Sequence, residues 1–388
     1  MYNRVVLAAY SNPIALRSET GNITRPQETV HSPLPYRYIR EMRELIASGH
    51  SFKDWSWAQQ AIGGEATRNS GDWFACSEAD IDKDDPDCVW RHRFTKAGKK
   101  RTEMWSPARA VALLVKLTLP LRTHQVRMLD SGEADTWWYS DEKTWRLNSG
   151  PLKSGDIRRP IARGVLRRVE DYETGKVWTA LYINTNKTAD IRKGREELGY
   201  VIPWQHEDLI YWLAKLQSWQ IKYNPIDEPV KWSELKIKHL GAARTATQLS
   251  VSPDTCFLFR DAAGFGDQRR KPLHTAALEP LWCKLLAELA RRCAARGETL
   301  VDGQPLQFTV PDRARTTLYP LHSLRVSLLS SLALDGDVPL VVLSKLVAGH
   351  SRLVMEYTLA LVTLIGMIRQ ELTQRKLAWW NATHTSHS

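Results

Sequence analysis

The sequence predicts an α+β fold that is mainly helical, with one small three-stranded antiparallel sheet and a short helical N-terminal region. Three observations support this prediction. Apolar residues recur at helical spacing over most of the chain. Between about residues 164 and 204 the spacing changes to alternation, which is typical of strands. After residue 205 the helical spacing returns, so the predicted strands are confined to one part of the chain.

The N-terminal part divides into an irregular segment, one helix and a polar stretch. Residues 1–34 contain several Pro, Ser and Thr residues, and a helix is expected from Tyr36 to Gly49. Residues 62–103 are polar and end in the basic run KAGKKR, which indicates either a solvated linker or a phosphate-contacting segment. We therefore predict an N-terminal region over residues 1–104 and a main domain over residues 105–388.

The main domain should begin with a buried helix. Pro107 favours a helix start, ARAVALLVKLTL reads as buried, Pro120 ends the helix, and Thr123 can cap a short helix that follows. Three strands are then predicted in GVLRRVE, VWTALYIN and ELGYVIPW. Further helices are predicted in HEDLIYWLAKLQSWQIKY and AALEPLWCKLLAELARRCAAR, and two more flank the break from Asp335 to Pro339.

Composition indicates a protein that binds a polyanion in a reducing compartment. The net charge of +11 favours nucleic acid as a partner, although a basic protein without a special partner is the alternative. The five Cys residues form no disulfide framework, and Cys76, Cys88 and His92 would lack a ligand as a metal site. The sequence shows no signal peptide, and the apolar run at 359–368 is about half a membrane span. We therefore expect a cytoplasmic protein without membrane contact.

One late segment concentrates residues suited to phosphoryl chemistry. In PLHSLRVSLLSSLALDGDVPLVVLSKLVAGHSRLVMEYTL, His322 and Arg325 are about one helical turn apart and should face the same way. His350 lies at the expected end of the next helix, and Tyr357 follows it by seven residues. Arg can hold a phosphate with two parallel hydrogen bonds, and basic groups beside a phenol can activate it as a nucleophile.

The pattern HxxR, then GH, then Tyr resembles the tyrosine recombinase (phage integrase) family, in particular large integrase-like proteins of bacterial mobile elements. The resemblance covers about residue 106 to the C-terminus. Upstream, VALLVKLTLPLRTHQVRMLDSGEAD is similar to the segment that carries the family's first Arg, here Arg122. The segment LYINTNKTADIRKGR is similar to the hairpin that carries its Lys, with Lys187 as the first candidate and Lys193 as the second.

This resemblance implies a tyrosine-recombinase-like catalytic domain that cuts and rejoins DNA through a 3′-phosphotyrosyl intermediate. Tyr357 would be the nucleophile, Lys187 would protonate the leaving oxygen, and His322 would accept a proton or a hydrogen bond. The non-bridging oxygens would be bound by Arg122, Arg325 and His350. No cofactor or metal is implied. The implied partners are double-stranded DNA, further copies of the chain and co-encoded accessory proteins, in a bacterial cytoplasm at the nucleoid. Residues 1–104 would be a remnant of the family's core-binding domain.

The sequence departs from the family pattern at two places. Gln125 stands where the family commonly has Glu or Asp. The spacing from His350 to Tyr357 is about two residues short, which on a helix corresponds to about 200° and about 3 Å. The alternative to a site-specific recombinase is therefore an integrase-derived DNA-binding accessory protein with impaired catalysis. A relaxing topoisomerase would share the same chemistry, and an enzyme that does not act on nucleic acid is the remaining option.

Overall fold

The computed structural model describes most of the first 334 residues. The described ranges are 33–63, 71–94, 98–140, 142–171, 173–185, 198–202, 206–300, 303–310 and 316–334. Their helices are α1 (Tyr36–Ile46), α2 (Ser56–Ala61), α3 (Ala108–Thr118), α4 (Thr123–Arg127), α5 (Glu207–Tyr223), α6 (Ile237–Leu240), α7 (Ala246–Ser250), α8 (Glu279–Ala295) and α9 (Ser323–Leu334). Their strands are β1 (Trp73–Ala75), β2 (Trp90–Phe94), β3 (Lys100–Trp105), β4 (Trp137–Tyr139), β5 (Trp145–Leu147), β6 (Leu166–Glu170), β7 (Val177–Ile183) and β8 (Tyr200–Ile202). The mixture of helices with small antiparallel sheets is compatible with the predicted α+β class.

Helix α3 lies at the centre of the described part of the fold. Its sequence is apolar on nearly every face, and Val111, Leu113 and Val115 are fully buried, as expected for a helix surrounded by other elements. Helices α1, α5, α8 and α9 all contact it. The helix begins after Pro107 and ends before Pro120, which confirms the predicted start and stop.

The predicted three-stranded antiparallel sheet is present. Strand β7 lies between β6 and β8, with Leu181 opposite Leu166 on one side and Ile202 on the other. The tight turn before β7 contains Gly175 with φ of 66°, a conformation that favours glycine. The inward side chains of this sheet join the core beside α5.

Two further sheets were not predicted. The polar stretch of residues 62–103, whose basic run was interpreted as either a solvated linker or a phosphate-contacting segment, contributes β1, β2 and most of β3, with β3 in the middle of that sheet. Buried Glu103 pairs with Arg91 at 2.9 Å across it. Strands β4 and β5 form a separate hairpin that is fixed to β7, because the Trp145 indole donates to the Thr179 hydroxyl at 3.0 Å. β1, β4 and β5 were missed because each has only three residues, and β2 and β3 were missed because they carry many charged residues.

A single apolar cluster connects most of these elements. It contains Leu34 and Trp55 from the N-terminal part, Leu113 and Leu213 from the central helices, and Leu324 from α9. The predicted boundary between residues 104 and 105 falls inside β3. The assignment of residues 1–104 to a core-binding remnant stays a prediction. Among the described residues, no helix has both the length and the hydrophobicity needed to cross a membrane.

Candidate functional site

Arg122 lies in the tight connection between α3 and α4. Its backbone is extended, with φ of −69° and ψ of 148°, and it occupies the position that precedes the first turn of α4. The Gln125 side chain accepts the Arg122 backbone N–H at 3.0 Å, which satisfies a donor that a helix start leaves unpaired. The expectation that Thr123 caps this helix was wrong, since Thr123 is already inside it. The guanidinium of Arg122 is half-buried.

Arg325 reaches the same connection from the other end of the described chain. It lies in the first turn of α9 and is only 5% exposed. Its guanidinium donates a hydrogen bond to the carbonyl of Pro120, which is 205 residues away in sequence. Because Pro120 is two residues before Arg122, the two predicted arginines converge on one short turn.

A buried lysine lies behind the two arginines. Lys116 is on α3 and is 1% exposed, and its Nζ donates to the Leu121 carbonyl at 2.6 Å. Burial, followed by the charges of Arg325 and Arg122, lowers the pKa of Lys116 to about 7. Sequence reasoning missed this residue, although an isolated Lys within VALLVKLTL was the available signal.

The electrostatics of the arginines show that they share one environment. Burial and then the charge of Arg122 lower the pKa of Arg325 to about 10, while the Tyr200 hydroxyl opposes the shift. Burial also lowers the pKa of Arg122, again against the influence of Tyr200. Bringing an anion between these groups would relieve the repulsion of like charges in a poorly solvated place. We call Lys116, Arg122, Arg325 and Tyr200 the cationic pocket.

The three-stranded sheet is fixed to the cationic pocket through Gln125. Its Nε2 donates to the Thr185 carbonyl at 2.9 Å and lies 3.5 Å from the Tyr200 hydroxyl. Thr185 follows β7 and Tyr200 begins β8, so both ends of the hairpin connection are held beside α4. A carboxylate at position 125 could not donate to Thr185, which gives the departure from the family pattern a structural reason.

His322 lies in the turn that leads into α9. Its carbonyl accepts the Arg325 backbone N–H at 3.1 Å. The His322 side chain is exposed, whereas that of Arg325 is buried, so the two side chains lie at different depths. Predicted residues Lys187, Lys193, His350 and Tyr357 lie outside the described residues.

Comparison with protein families identifies the class of protein. Residues 2–233, more than half of the chain, match the family model described as "Putative integrase". The chain belongs to this integrase family. The comparison with curated proteins and the comparison with solved structures gave no match. Membership implies an integrase-like function in DNA recombination, and hence a DNA substrate.

The matched region of this integrase contains α1 to α5, including Arg122, Gln125 and the sheet beside them. Arg325 and His322 lie beyond the match, and the fold brings Arg325 back to Arg122. A pair of guanidinium groups in a confined place is suited to a phosphodiester, because each can donate two parallel hydrogen bonds to its oxygens. The described residues of the integrase contain no group of three or more His, Cys, Asp or Glu side chains placed to hold a metal ion.

Proposed function

We propose that the protein is a tyrosine-type site-specific recombinase of a mobile element. The observation that carries the proposal is the convergence of Arg122 and Arg325 on the turn between α3 and α4. These two positions were selected from sequence for their resemblance to the two family arginines. Membership of an integrase family, the net charge of +11 and the nearby hairpin connection support the same function.

In the proposed reaction the scissile phosphate of duplex DNA enters the cationic pocket. The Tyr357 hydroxyl loses its proton and attacks phosphorus, a 3′-phosphotyrosyl bond forms, and the bond from phosphorus to the 5′ oxygen breaks. Lys187 supplies the proton that the leaving 5′ oxygen takes up. Arg122 and Arg325 neutralise the charge on the non-bridging oxygens, together with His350. His322 accepts the proton that the Tyr357 hydroxyl loses, or it accepts a hydrogen bond while solvent water takes up that proton.

The second stage returns the protein to its starting form. A 5′-hydroxyl of a second strand attacks the phosphotyrosyl bond, and Tyr357 is released. The covalent intermediate conserves the energy of the phosphodiester, so the reaction consumes no nucleotide. Joining of two duplexes requires more than one active centre, which is why we include a homo-oligomer on DNA in the proposal.

The test is capture of the covalent intermediate by the full-length protein. Nicked duplexes of randomised sequence, labelled at the 5′ end of the nicked strand, are incubated with the protein and analysed under denaturing conditions. We expect a labelled adduct in the wild type and none in Tyr357→Phe. Tyr36→Phe, which changes an exposed tyrosine on α1, is the matched control and should retain the adduct.

The other outcomes separate the competing functions. An adduct that persists in Tyr357→Phe would disprove the assigned nucleophile. Salt-sensitive DNA binding without any adduct would favour the accessory protein, the reading that the short spacing from His350 to Tyr357 supports. Relaxation of supercoiled DNA of any sequence, without joining of two duplexes, would favour a topoisomerase.

A further inference from the structure

An exposed basic loop projects from the segment between β5 and β6. Residues 150–163 read GPLKSGDIRRPIAR and contain four basic residues and one acidic residue. Every residue from 155 to 160 is exposed. We call residues 154–161 the arginine loop.

Hydrogen bonds within the arginine loop hold its backbone in a closed turn. Gly155 and Pro160 form an isolated antiparallel bridge that closes the loop. The Asp156 carboxylate accepts the backbone N–H groups of Arg158 and Arg159, both at 2.8 Å. Gly155 has φ of 73°, and a Cβ there would lie 2.8 Å from the Arg159 carbonyl. Glycine is therefore required for the chain to turn this closely.

The base of the arginine loop is anchored to the protein through Thr136, which is fully buried. The Thr136 N–H donates to the Ile161 carbonyl at 2.9 Å, and the Ile161 N–H donates to the Thr136 hydroxyl at 2.9 Å. That hydroxyl in turn donates to the Ser154 carbonyl at 2.8 Å. Both ends of the loop are thus held by one buried side chain, so little conformational entropy remains to be lost when the tip binds a partner.

The side chains at the tip are directed to solvent. Ile157 is 65% exposed. Within the part of the chain that the structure describes, the side chains of Arg158 and Arg159 form no ion pair, and the only acidic neighbour in the loop uses its carboxylate for backbone donors. Arg291, by contrast, is paired with Glu288 at 2.7 Å. The tip of the arginine loop therefore presents one apolar and two cationic side chains on a backbone that is already folded. This combination is suited to a polyanion whose surface contains a groove, such as a nucleic-acid duplex.

We propose that the arginine loop is a second DNA-contacting element, which inserts Ile157 into the minor groove. Arg158 and Arg159 would flank the groove and contact phosphates or base edges. Proteins that bend DNA commonly insert an apolar side chain between base steps while adjacent arginines occupy the minor groove. This inference rests on one part of the proposed function, namely that the protein acts on duplex DNA.

The arginine loop is also mechanically connected to the cationic pocket. Thr136 belongs to the segment that follows α4, and the backbone N–H groups of Arg163 and Gly164 are held at 2.7 and 2.8 Å by the buried Asp135 carboxylate in that segment. A loop fixed in this way can set the position of the duplex relative to Arg122. A surface for another protein is the competing interpretation, and it is disfavoured because Arg158 and Arg159 have no acidic partner among the described residues.

The experiment measures binding of the full-length protein to duplexes that contain 2-aminopurine, whose fluorescence rises when a base is unstacked. For Arg158→Ala/Arg159→Ala we expect about 10-fold to 100-fold weaker binding at about 100 mM salt, and a salt dependence reduced by about two phosphate contacts. For Ile157→Ala we expect the salt dependence of the wild type, about 3-fold to 10-fold weaker binding and a smaller fluorescence rise. A small molecule that occupies the minor groove should reduce the DNA affinity of the wild type by a larger factor than it reduces the DNA affinity of Ile157→Ala.

Matched controls come from a second exposed Ile between two cations. Ile237 is 63% exposed and lies between Lys236 and Lys238. If Ile237→Ala and Lys236→Ala/Lys238→Ala weaken binding as much as the loop variants do, a general electrostatic effect explains the result and the inference is overturned. Unchanged melting temperatures are expected for all variants, because these side chains are exposed.

The remaining outcomes distinguish failure of the inference from failure of the proposed function. A wild type that forms the covalent adduct, with loop variants that bind DNA normally, would leave the proposed function in place and remove the arginine loop from it. Loop variants that bind DNA normally but lose self-association would assign the loop to protein contacts. A wild type without affinity for duplex DNA would overturn both proposals.

Discussion

The cationic pocket and the arginine loop use the same residue type in opposite environments. Arg325 is buried, its guanidinium is held by the Pro120 carbonyl, and burial lowers its pKa to about 10. Arg158 and Arg159 are exposed, and their hydrogen bonds to described residues are made by the backbone: both N–H groups donate to the Asp156 carboxylate, and the Arg159 carbonyl accepts the Asp156 N–H. In the pocket the side chain is fixed, whereas in the loop the backbone is fixed and the side chains remain solvated.

This difference indicates two kinds of contact with an anion. A buried guanidinium loses its hydration when the protein folds, before any anion binds. Its interaction with a phosphate is therefore strong and depends on geometry. An exposed guanidinium gains little from each contact, and the gain falls with salt. The pocket is therefore suited to one reacting phosphate, and the loop is suited to holding the duplex that carries it.

The largest expected effect is on the rate of adduct formation, which should depend on the cationic pocket far more than on the arginine loop. We expect Arg325→Ala and Arg122→Ala each to slow adduct formation at saturating DNA by about 10²-fold to 10³-fold. For Arg158→Ala the main loss should appear in the DNA concentration needed for half-maximal rate. Arg325→Lys should recover only part of the rate, because Lys lacks the planar donor pair.

The controls for this prediction concern folding and surface charge. Arg291→Ala, which removes an exposed arginine already paired with Glu288, should behave as wild type. Melting temperatures separate lost chemistry from lost fold, which is needed because Arg325 also stabilises the turn at Pro120. Equal rate losses in Arg325→Ala and Arg158→Ala, with both proteins folded, would contradict the distinction between pocket and loop.

The next effect concerns the buried charge of Lys116 and the pH dependence of stability. The folded pKa is about 7, whereas an unfolded Lys has a pKa near 10.4. Between these values the unfolded chain holds the proton and the folded chain does not, so this group makes the free energy of unfolding rise with pH from about 7 to about 10. The total contribution is on the order of 5 kcal/mol. Below pH 7 both states are protonated and the burial cost is greatest.

Lys116→Met should remove this rise, as measured by denaturant unfolding at several pH values. The informative quantity is the difference between variant and wild type, since other groups titrate equally in both. Lys53→Met, at an exposed lysine, should leave the pH dependence unchanged. If Lys116→Met retains the pH dependence of the wild type, Lys116 is not a buried, titrating group.

The smallest expected effect tests the link between the pocket and the sheet. Gln125→Glu keeps the acceptor for the Arg122 N–H but replaces the donor to the Thr185 carbonyl, so it should cost about 1–3 kcal/mol of unfolding free energy. Gln248→Glu is the matched control, because exposed Gln248 accepts the Thr245 N–H at 3.1 Å at the start of α7. There a carboxylate should be neutral or slightly stabilising. Equal losses of unfolding free energy in Gln125→Glu and Gln248→Glu would show that the hydrogen bond from Gln125 to the Thr185 carbonyl does not stabilise the protein.

Much of the fold could be predicted, and the failures have a common cause. The apolar period of α3 and the alternation in β6 and β7 are strong local signals, and both predictions were confirmed. The sheet around β3 was missed because β1 has only three residues, because β2 and β3 are rich in charged residues, and because β3 needs partners from separate segments. Charged strands of this kind are stabilised by pairs such as Arg91–Glu103, which local pattern does not reveal.

Part of the candidate site followed from residue types and spacing. Arg122 and Arg325 were selected for the chemistry of their side chains and for their motif context, and the fold brings Arg325 of α9 into contact with the turn that carries Arg122. Lys116 and Tyr200 were not selected. The placement of Lys116 and Tyr200 beside the arginines depends on burial and on neighbours that are distant in sequence. Neither property is visible in a short segment.

By itself, the sequence determined the helical and strand periods and the positive charge, and it supplied the prediction that Arg122 and Arg325 bind phosphate. These properties follow from the order of side chains along a short stretch of backbone. Only the tertiary structure decided that Arg325 contacts the Pro120 carbonyl, that Lys116 is buried beside both arginines, and that the arginine loop is closed by its own hydrogen bonds and exposed. Each of these depends on desolvation and on contacts between distant segments, which packing of the whole chain creates.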